Sequence, residues 1–457
     1  MKHNYFLLLA VLPFYFLLSI APVVHADENI AAMRAELDAL KSQYEMRIQA
    51  LEQRLSAAEQ QLQHNQVLPG QEPGAIVDAP VTPGNSYAAA SNQFNPAMGV
   101  ILNGALRAYE HDPQDHYIPG FPQAGEAGLG DEGLSIGESE FVFTANVDDW
   151  FYARVTAALE QEDGEFDTGL EEAFIDTLSL PAHTSLRFGR FYSSVGYLNN
   201  KHAHTWDFTD QALPYSAFLG IQYGDDGIQL RWLAPTEMYL ELGAEVFRGS
   251  NYPAAGDADN GFGTQTLFAR FGGDVGLSNS WTAGFSWLGA SADDRGYGDE
   301  DAPLQFNGDS DLYIADLVWK WAPNGNIRER NFVLQAEYLW RKEDGSYDIA
   351  DMENTGRVTN DATGWYAQGI YQWRPRWRAG LRLDGLSLDD PGAQFADTPL
   401  ATFGSDPRRY SFMIDYSNSE FSRIRLQFNR DESGPKNDNQ VFLQYIMSIG
   451  AHGGHEF

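Results

Sequence analysis

The chain has 457 residues, with 64 acidic against 30 basic side chains, a formal net charge of −34, and no cysteine. That charge argues against a nucleic-acid partner, and the missing thiols exclude disulfide and cysteine chemistry. An aromatic content of 13% beside a negative mean hydropathy leaves two classes open: an ordinary soluble enzyme, or a sheet protein with an apolar exterior and long acidic loops.

Lys2, an apolar run over 6–24 and the small-residue triplet Val24-His25-Ala26 read as a secretory signal over residues 1–26. The acidic Asp27-Glu28 that follows argues against a retained anchor. No other apolar run is long enough for a transmembrane helix. Residues 27–64 predict a helix: Ile30, Met33, Leu37, Leu40, Tyr44, Ile48, Leu51, Leu55, Ala58 and Leu62 follow three- and four-residue steps, a heptad seam with one four-residue stutter between Tyr44 and Ile48. Good helix formers dominate there, with no Gly or Pro from Glu28 to His64. So narrow a stripe needs partner helices, or else a single helix lies along the remainder of its own chain. Residues 65–92, with Pro69, Pro73, Pro80 and Pro83, predict a linker.

Residues 93–457 alternate strand patterns with two kinds of connection. Sixteen strands are expected, near 98–109, 135–147, 150–161, 168–179, 184–192, 226–234, 238–249, 263–275, 280–291, 310–321, 331–342, 363–373, 376–388, 408–417, 420–430 and 439–451. Connections after even-numbered strands are short, such as Asp148-Asp149 and Arg374-Pro375, whereas those after odd-numbered strands are mostly long and acidic. The faces alternate: Trp281, Ala283, Phe285 and Trp287 oppose Thr282, Gly284 and Ser286, while Ile424, Leu426 and Phe428 oppose Arg423, Arg425 and Gln427. Tight turns at one rim, long loops at the other and charge at every second position predict an all-β transmembrane barrel of about 16 antiparallel strands, preceded by the N-terminal coiled coil. A propeller would need a fixed-period repeat, and none is found.

The inward parity carries Arg187, Arg378, Arg382, Arg423 and Arg425 together with Glu241 and Asp316. With Arg190 and Tyr197, near the start of the long connection, these form the candidate pore and constriction set. Positive and negative wall residues are close to balance, so no strong anion selectivity follows. The net acidity falls in the expected loops, for example Asp293-Asp294, Asp309 to Asp311 and Glu343-Asp344, which would draw in cations or bridge lipopolysaccharide through divalent ions. The longest connection, 193–225, holds His202, His204 and Asp207, metal-ligand types at close spacing. In an extended segment the two histidines share a face while Asp207 has the opposite parity, so a turn at Thr205 or Trp206 is expected to gather all three around zinc or a similar cation. His452 and His455 in the tail are a second metal candidate. No Gly-x-Ser-x-Gly elbow, His-Glu-x-x-His helix or phosphate loop is present, and the chain reads as a non-enzyme that requires no cofactor.

The last strand, Val441, Leu443, Tyr445, Met447 and Ile449 on one parity with Phe457 at the end, resembles the closing strand of bacterial outer-membrane barrels. The segment Leu186-Arg187-Phe188-Gly189-Arg190-Phe191 entering a long third loop, with Leu170-Glu171-Glu172-Ala173-Phe174 before it, resembles phosphate-selective-type porins, sixteen-stranded trimeric channels. A coiled coil ahead of the barrel is similar to LbtU-type siderophore porins. The His-bearing third loop and the Ala-His-Gly-Gly-His-Glu-Phe end look like short outer-membrane proteins grouped with zinc-regulated "TonB-dependent receptors". Roughly 365 residues follow the linker, too few for a larger receptor barrel with a plug domain, so passive or facilitated uptake ranks ahead of energised transport. The resemblance implies an outer-membrane, homotrimeric channel in contact with lipid and lipopolysaccharide, with the N-terminal segment in the periplasm and a third loop that folds inward. The expected solute is small, with zinc or a metal chelate such as a siderophore as the candidates the resemblance implies. The alternatives are a structural or adhesive barrel with a blocked lumen, or a TonB-coupled receptor.

Overall fold

The computed structural model describes residues 96–121, 128–162, 165–254, 261–296, 304–349, 356–389 and 406–450, with a few positions between 392 and 404. The expected signal, coiled coil and linker, and the tail histidines His452 and His455, lie outside the described residues.

The strands are β1 (Ala97–Ala108), β2 (Gly133–Ile136), β3 (Ser139–Asn146), β4 (Phe151–Glu162), β5 (Glu165–Thr177), β6 (Thr184–Tyr192), β7 (Gly224–Leu233), β8 (Tyr239–Phe247) and β9 (Thr264–Val275). They continue as β10 (Asn279–Gly296), β11 (Leu304–Trp321), β12 (Asn331–Ile349), β13 (Gly356–Arg374), β14 (Trp377–Leu388), β15 (Arg408–Ser419), β16 (Ser422–Asp431) and β17 (Asp438–Gly450). One helix, α1 (Leu213–Leu219), lies in the connection between β6 and β7.

From β3 onward each strand pairs antiparallel with the next, and β17 closes the ring on β1. β2 and β3 pair with successive parts of β1 and form one stave, interrupted where Ser139 Oγ accepts from the Asn103 amide at 3.1 Å. Seventeen strands therefore make sixteen staves, and a closed ring has no free sheet edge. The turns on one rim are tight. Ala182 and His183 both take positive φ, 59° and 58°, in the reversal between β5 and β6, and Asp148 caps the amides of Trp150 and Phe151 at 2.7 and 2.9 Å.

Large apolar side chains stand exposed on the outer face around the ring, among them Leu102, Phe141, Ile228, Leu267, Phe285, Leu317, Trp365, Leu381, Phe412, Leu426 and Leu443. An apolar surface that encircles the molecule is stable only against lipid. The inner face carries Gln229, Glu245, Glu337, Arg382, Asp415 and Gln444, all buried.

β10 to β13 run longer than expected, 18, 18, 19 and 19 residues. Asp293-Asp294, Asp309 to Asp311 and Glu343-Asp344 therefore lie in strands and not in loops. The cause is a second small core of Ala292, Leu304, Phe306, Tyr347, Phe395 and Leu400, beside which Arg295 meets Glu343 at 2.8 Å. Charge marks such a segment as wet, but does not stop it from pairing.

Candidate functional site

The third loop, 193–223, folds into the barrel. Its neck is closed by the Ser193 amide donating to Tyr223 O at 2.9 Å. Asn199 then ties both ends, donating to Ser193 O at 2.8 Å and Tyr223 O at 2.7 Å while accepting from the Tyr223 amide at 2.7 Å. Val195, Leu198, Leu213, Tyr215, Phe218 and Tyr223 give the loop an apolar core, packed on Phe174, Phe247, Leu312, Leu339 and Leu386 of the wall. Gly220, at φ 61°, ends α1.

Polar wall residues grip the loop on several sides. Glu245 of β8 accepts from the Ser194 amide at 2.9 Å and from the Ser193 hydroxyl. Arg270 of β9 donates to Ser194 O at 2.7 Å, and Ser286 of β10 accepts from the Gly196 amide at 3.1 Å. Glu337 of β12 accepts from the amides of Tyr197 and Leu198 at 3.0 and 3.2 Å. Opposite, Arg423 and Arg425 of β16 donate to Trp206 O at 3.3 and 2.5 Å, and Arg423 also to His204 O at 2.6 Å. Asp210 is held by Arg382 of β14 at 2.9 Å, Arg409 of β15 at 3.1 Å, and Gln427 and Asn429 of β16 at 2.6 and 2.9 Å. Burial by itself would raise the Asp210 carboxyl, but the two guanidinium groups outweigh it and hold its pKa at about 2.

The histidines meet the β3–β5 wall. His202 Nε2 lies 2.9 Å from Glu172 Oε2. His202 Nδ1 lies 3.4 Å from Glu140 Oε2 and 3.3 Å from Glu171 Oε2. His204 Nδ1 bonds the other Glu140 oxygen at 2.5 Å, and the two imidazoles stack at 5.8 Å. Glu171 and Glu172 reach one imidazole because β5 bulges. Thr156 pairs with Glu172 and Ala157 with Leu170, so Glu171 is the extra residue and the alternation of faces is broken there. Arg154 Nη2 also approaches His202 Nε2, at 3.0 Å. Arg154 has other acceptors in Thr156 Oγ1 and Glu172, whereas the Glu172 carboxylate can only accept. The proton is therefore assigned to Nε2, which leaves Nδ1 facing Glu140 and Glu171. Burial alone would lower the His202 pKa, but the surrounding carboxylates raise it well above the ordinary imidazole value.

Asp207 does not join the histidines. Its carboxylate lies 2.8 Å from Arg378, which also binds Asp415 at 2.6 Å. The short turn at Ala203–Thr205 sends Asp207 across the lumen to β14, because Arg378 offers a full opposite charge there. Within the pore set, Arg378, Arg382, Arg423 and Arg425 are loop anchors. Arg187 pairs with Asp176 at 2.8 Å and lies over the Phe174 ring at 3.7 Å. Glu241 lies 3.4 Å from Arg270, and Asp316 is buried opposite Gly284. Tyr197 contributes its amide to the Glu337 contact. Arg190 is misplaced in that set: it shares parity with the outward Phe188, on the side of β6 away from Phe191, and donates to Leu170 O at 2.9 Å. The sequence does not single out Glu140, and Glu171-Glu172 stand in it only as part of the segment Leu170 to Phe174. The doubled acid in an otherwise alternating strand was the available signal of the bulge.

Ring closure, the apolar outer girdle and the inward third loop define a membrane-spanning sixteen-stave β-barrel. The chain belongs to the family of an uncharacterised protein of Aquifex aeolicus (strain VF5), to which it is 30% identical over 349 residues, 71% of this chain and 70% of that protein. No family model matches the chain. Among solved structures it is similar to the trimer form of OmpT, an outer membrane protein of Vibrio cholerae, at 11% identity and TM-score 0.48, covering 78% of this chain and 99% of that one. It is also similar to the outer membrane channel DcaP of Acinetobacter baumannii, at 12% identity and TM-score 0.47 over 78% and 97% of the two chains. A third is OprB of Pseudomonas putida, at 12% and 0.47 over 80% and 96%.

Proposed function

We propose that the protein is an outer-membrane channel for small solutes, narrowed by its third loop, with small cations favoured over anions. The observation that carries this reading is the inversion of the wall: apolar outside, charged inside, on a closed ring. Inward arginines that hold the loop still reach water, Arg270 and Arg378 each with 23% of the side chain exposed, as expected of a hydrated passage. Arg378, Arg423 and Arg425 are engaged by Asp207, Asp415 and loop carbonyls, which removes a free cationic ladder for anions. The acid-rich strand extensions would concentrate cations at the mouth, and metal ions or metal chelates are the solutes we favour.

A second reading, a barrel blocked by its loop, has its own support: the loop touches β3–β5, β8–β10 and β12–β16, and wall residues such as Gln427 and Asn429 are fully buried. Planar-bilayer recording separates the two. Discrete conductance steps in the wild type, with a reversal potential of cationic sign in a salt gradient, support the channel. Steps that appear only when the loop is shortened would make the wild type a closed barrel, and none in either protein would favour a structural role.

A further inference from the structure

We propose that Glu140, Glu171 and His202 form a binding site for a divalent transition-metal ion, which fastens the third loop to the β3–β5 wall. Three buried atoms converge there with no hydrogen-bond partner beyond one another: Glu140 Oε2, Glu171 Oε2 and His202 Nδ1. All lie within 4.8 Å of one another. Two ligands at ~2.0–2.2 Å from a tetrahedral ion stand roughly 3.3–3.6 Å apart. The distances of His202 Nδ1 to the two carboxylate oxygens, 3.4 and 3.3 Å, match that edge.

The groups around these atoms orient them as a metal site requires. Glu172 takes the Nε2 proton of His202 and directs Nδ1 at the two carboxylates, the carboxylate–histidine–metal arrangement. His204 holds the second oxygen of Glu140, and Arg154 neutralises Glu172 at 3.3 Å. With Glu172 so paired, Glu140 and Glu171 both face His202 Nδ1, and a divalent ion would take the place of the proton that their charge otherwise holds on that nitrogen. The imidazole nitrogen selects against calcium and magnesium, which take oxygen ligands. Three protein ligands leave a further coordination position open to water or a passing anion. The β5 bulge, which lets consecutive acids face one way, has a ready explanation in this role.

The inference does not depend on the channel reading, because the site would bind metal whether or not the lumen conducts. The test is zinc titration by calorimetry on the full refolded protein, with calcium and magnesium as controls and heat-modifiable gel migration as the folding check. One zinc per chain is expected, with no heat from calcium or magnesium. Glu172→Gln should weaken zinc roughly 10–100-fold, as loss of an orienting partner does, and Glu171→Gln and His202→Gln should weaken it further. Asp207→Asn and the pair His452→Ala/His455→Ala should leave it unchanged. No zinc binding by the wild type, or an unaltered isotherm in folded Glu171→Gln and His202→Gln, overturns the site. Loss of binding only in the tail variant overturns it too. Cobalt(II) absorption of the wild type gives a measurement free of substitutions: a four-coordinate spectrum is expected, and an octahedral one overturns the tetrahedral geometry on which the assignment rests.

Discussion

Glu337 on β12 receives the Tyr215 hydroxyl of α1 at 2.9 Å and, through the same carboxylate, the amides of Tyr197 and Leu198 at 3.0 and 3.2 Å. Tyr366 of β13 adds its hydroxyl at 2.5 Å. Two distant parts of the third loop are thus joined through one wall side chain. The wall acts as a template for the loop, and its strands are held independently by backbone ladders.

Glu337→Ala should release the loop while leaving the barrel folded. Each buried donor left without an acceptor costs about 1–3 kcal/mol; four donors lose Glu337 here, and of these the Leu198 amide keeps the Tyr215 hydroxyl as an acceptor at 3.2 Å. Higher single-channel conductance and faster proteolysis of the loop are expected, with Glu337→Gln intermediate because one carbonyl oxygen remains. Unchanged conductance and cleavage in Glu337→Ala would remove this residue as the hub.

Gly196→Ala should act on the same contact from the loop side. Gly196 has φ 63°, and a Cβ there would stand 2.3 Å from the Tyr215 hydroxyl and 2.6 Å from Glu337 Oε2. The left-handed backbone alone costs an alanine roughly 1–2 kcal/mol, and the crowding adds to that. The change should resemble Glu337→Ala, and the double variant should show less than the sum of the two. Full additivity would mean that the sites act separately.

Asp210 predicts the acid limit of loop docking. Its pKa is depressed to about 2 from an ordinary 3.8. A depressed carboxylate contributes stability that is complete above the unfolded value and fades as pH falls towards the folded one. Protection of the amides near Asp210 from hydrogen exchange, corrected for intrinsic rates, should therefore hold from pH 7 to about 4 and fall between about 4 and 2. Asp210→Asn should show weakened protection already at pH 7. Loss of protection in the wild type near pH 5 would assign the acid sensitivity to another group.

The staves were legible in the sequence because a barrel wall writes its two solvents into alternate residues. Leu426 and Phe428 against Arg425 and Gln427 settle both parity and strand, and Asp148 or Pro375 marks the turn. The site was legible only by residue type. His202 and His204 are local in sequence, but their partners lie on β3 and β5, and nothing in spacing brings Glu140 to position 204. Asp207 went elsewhere because Arg378, 171 residues away, supplied an ion pair. The extent of β10 to β13 was hidden for a related reason: acidic residues on solvated strand ends look like loop, and the inward Phe306 and Tyr347 reveal themselves only once the register is known.

Residues 28–64 carry the remaining prediction, that the heptad seam drives a homotrimer. An isolated helix cannot bury a two-per-heptad stripe, so the apolar positions from Ile30 to Leu62 need copies of themselves or a surface of the same chain. Assembly through the seam would be independent of the third loop. Deleting 28–64 should therefore convert trimers to monomers in light scattering of the detergent-solubilised protein, with conductance per barrel unchanged. Leu40→Asp with Leu55→Asp should weaken the trimer in the same direction without shortening the chain, because a buried unpaired carboxylate opposes packing of the seam. A helix that lay along its own barrel would give one mass for all three proteins. Trimers that persist in the deletion would place association on the barrel wall, whose exposed apolar girdle offers a surface for it.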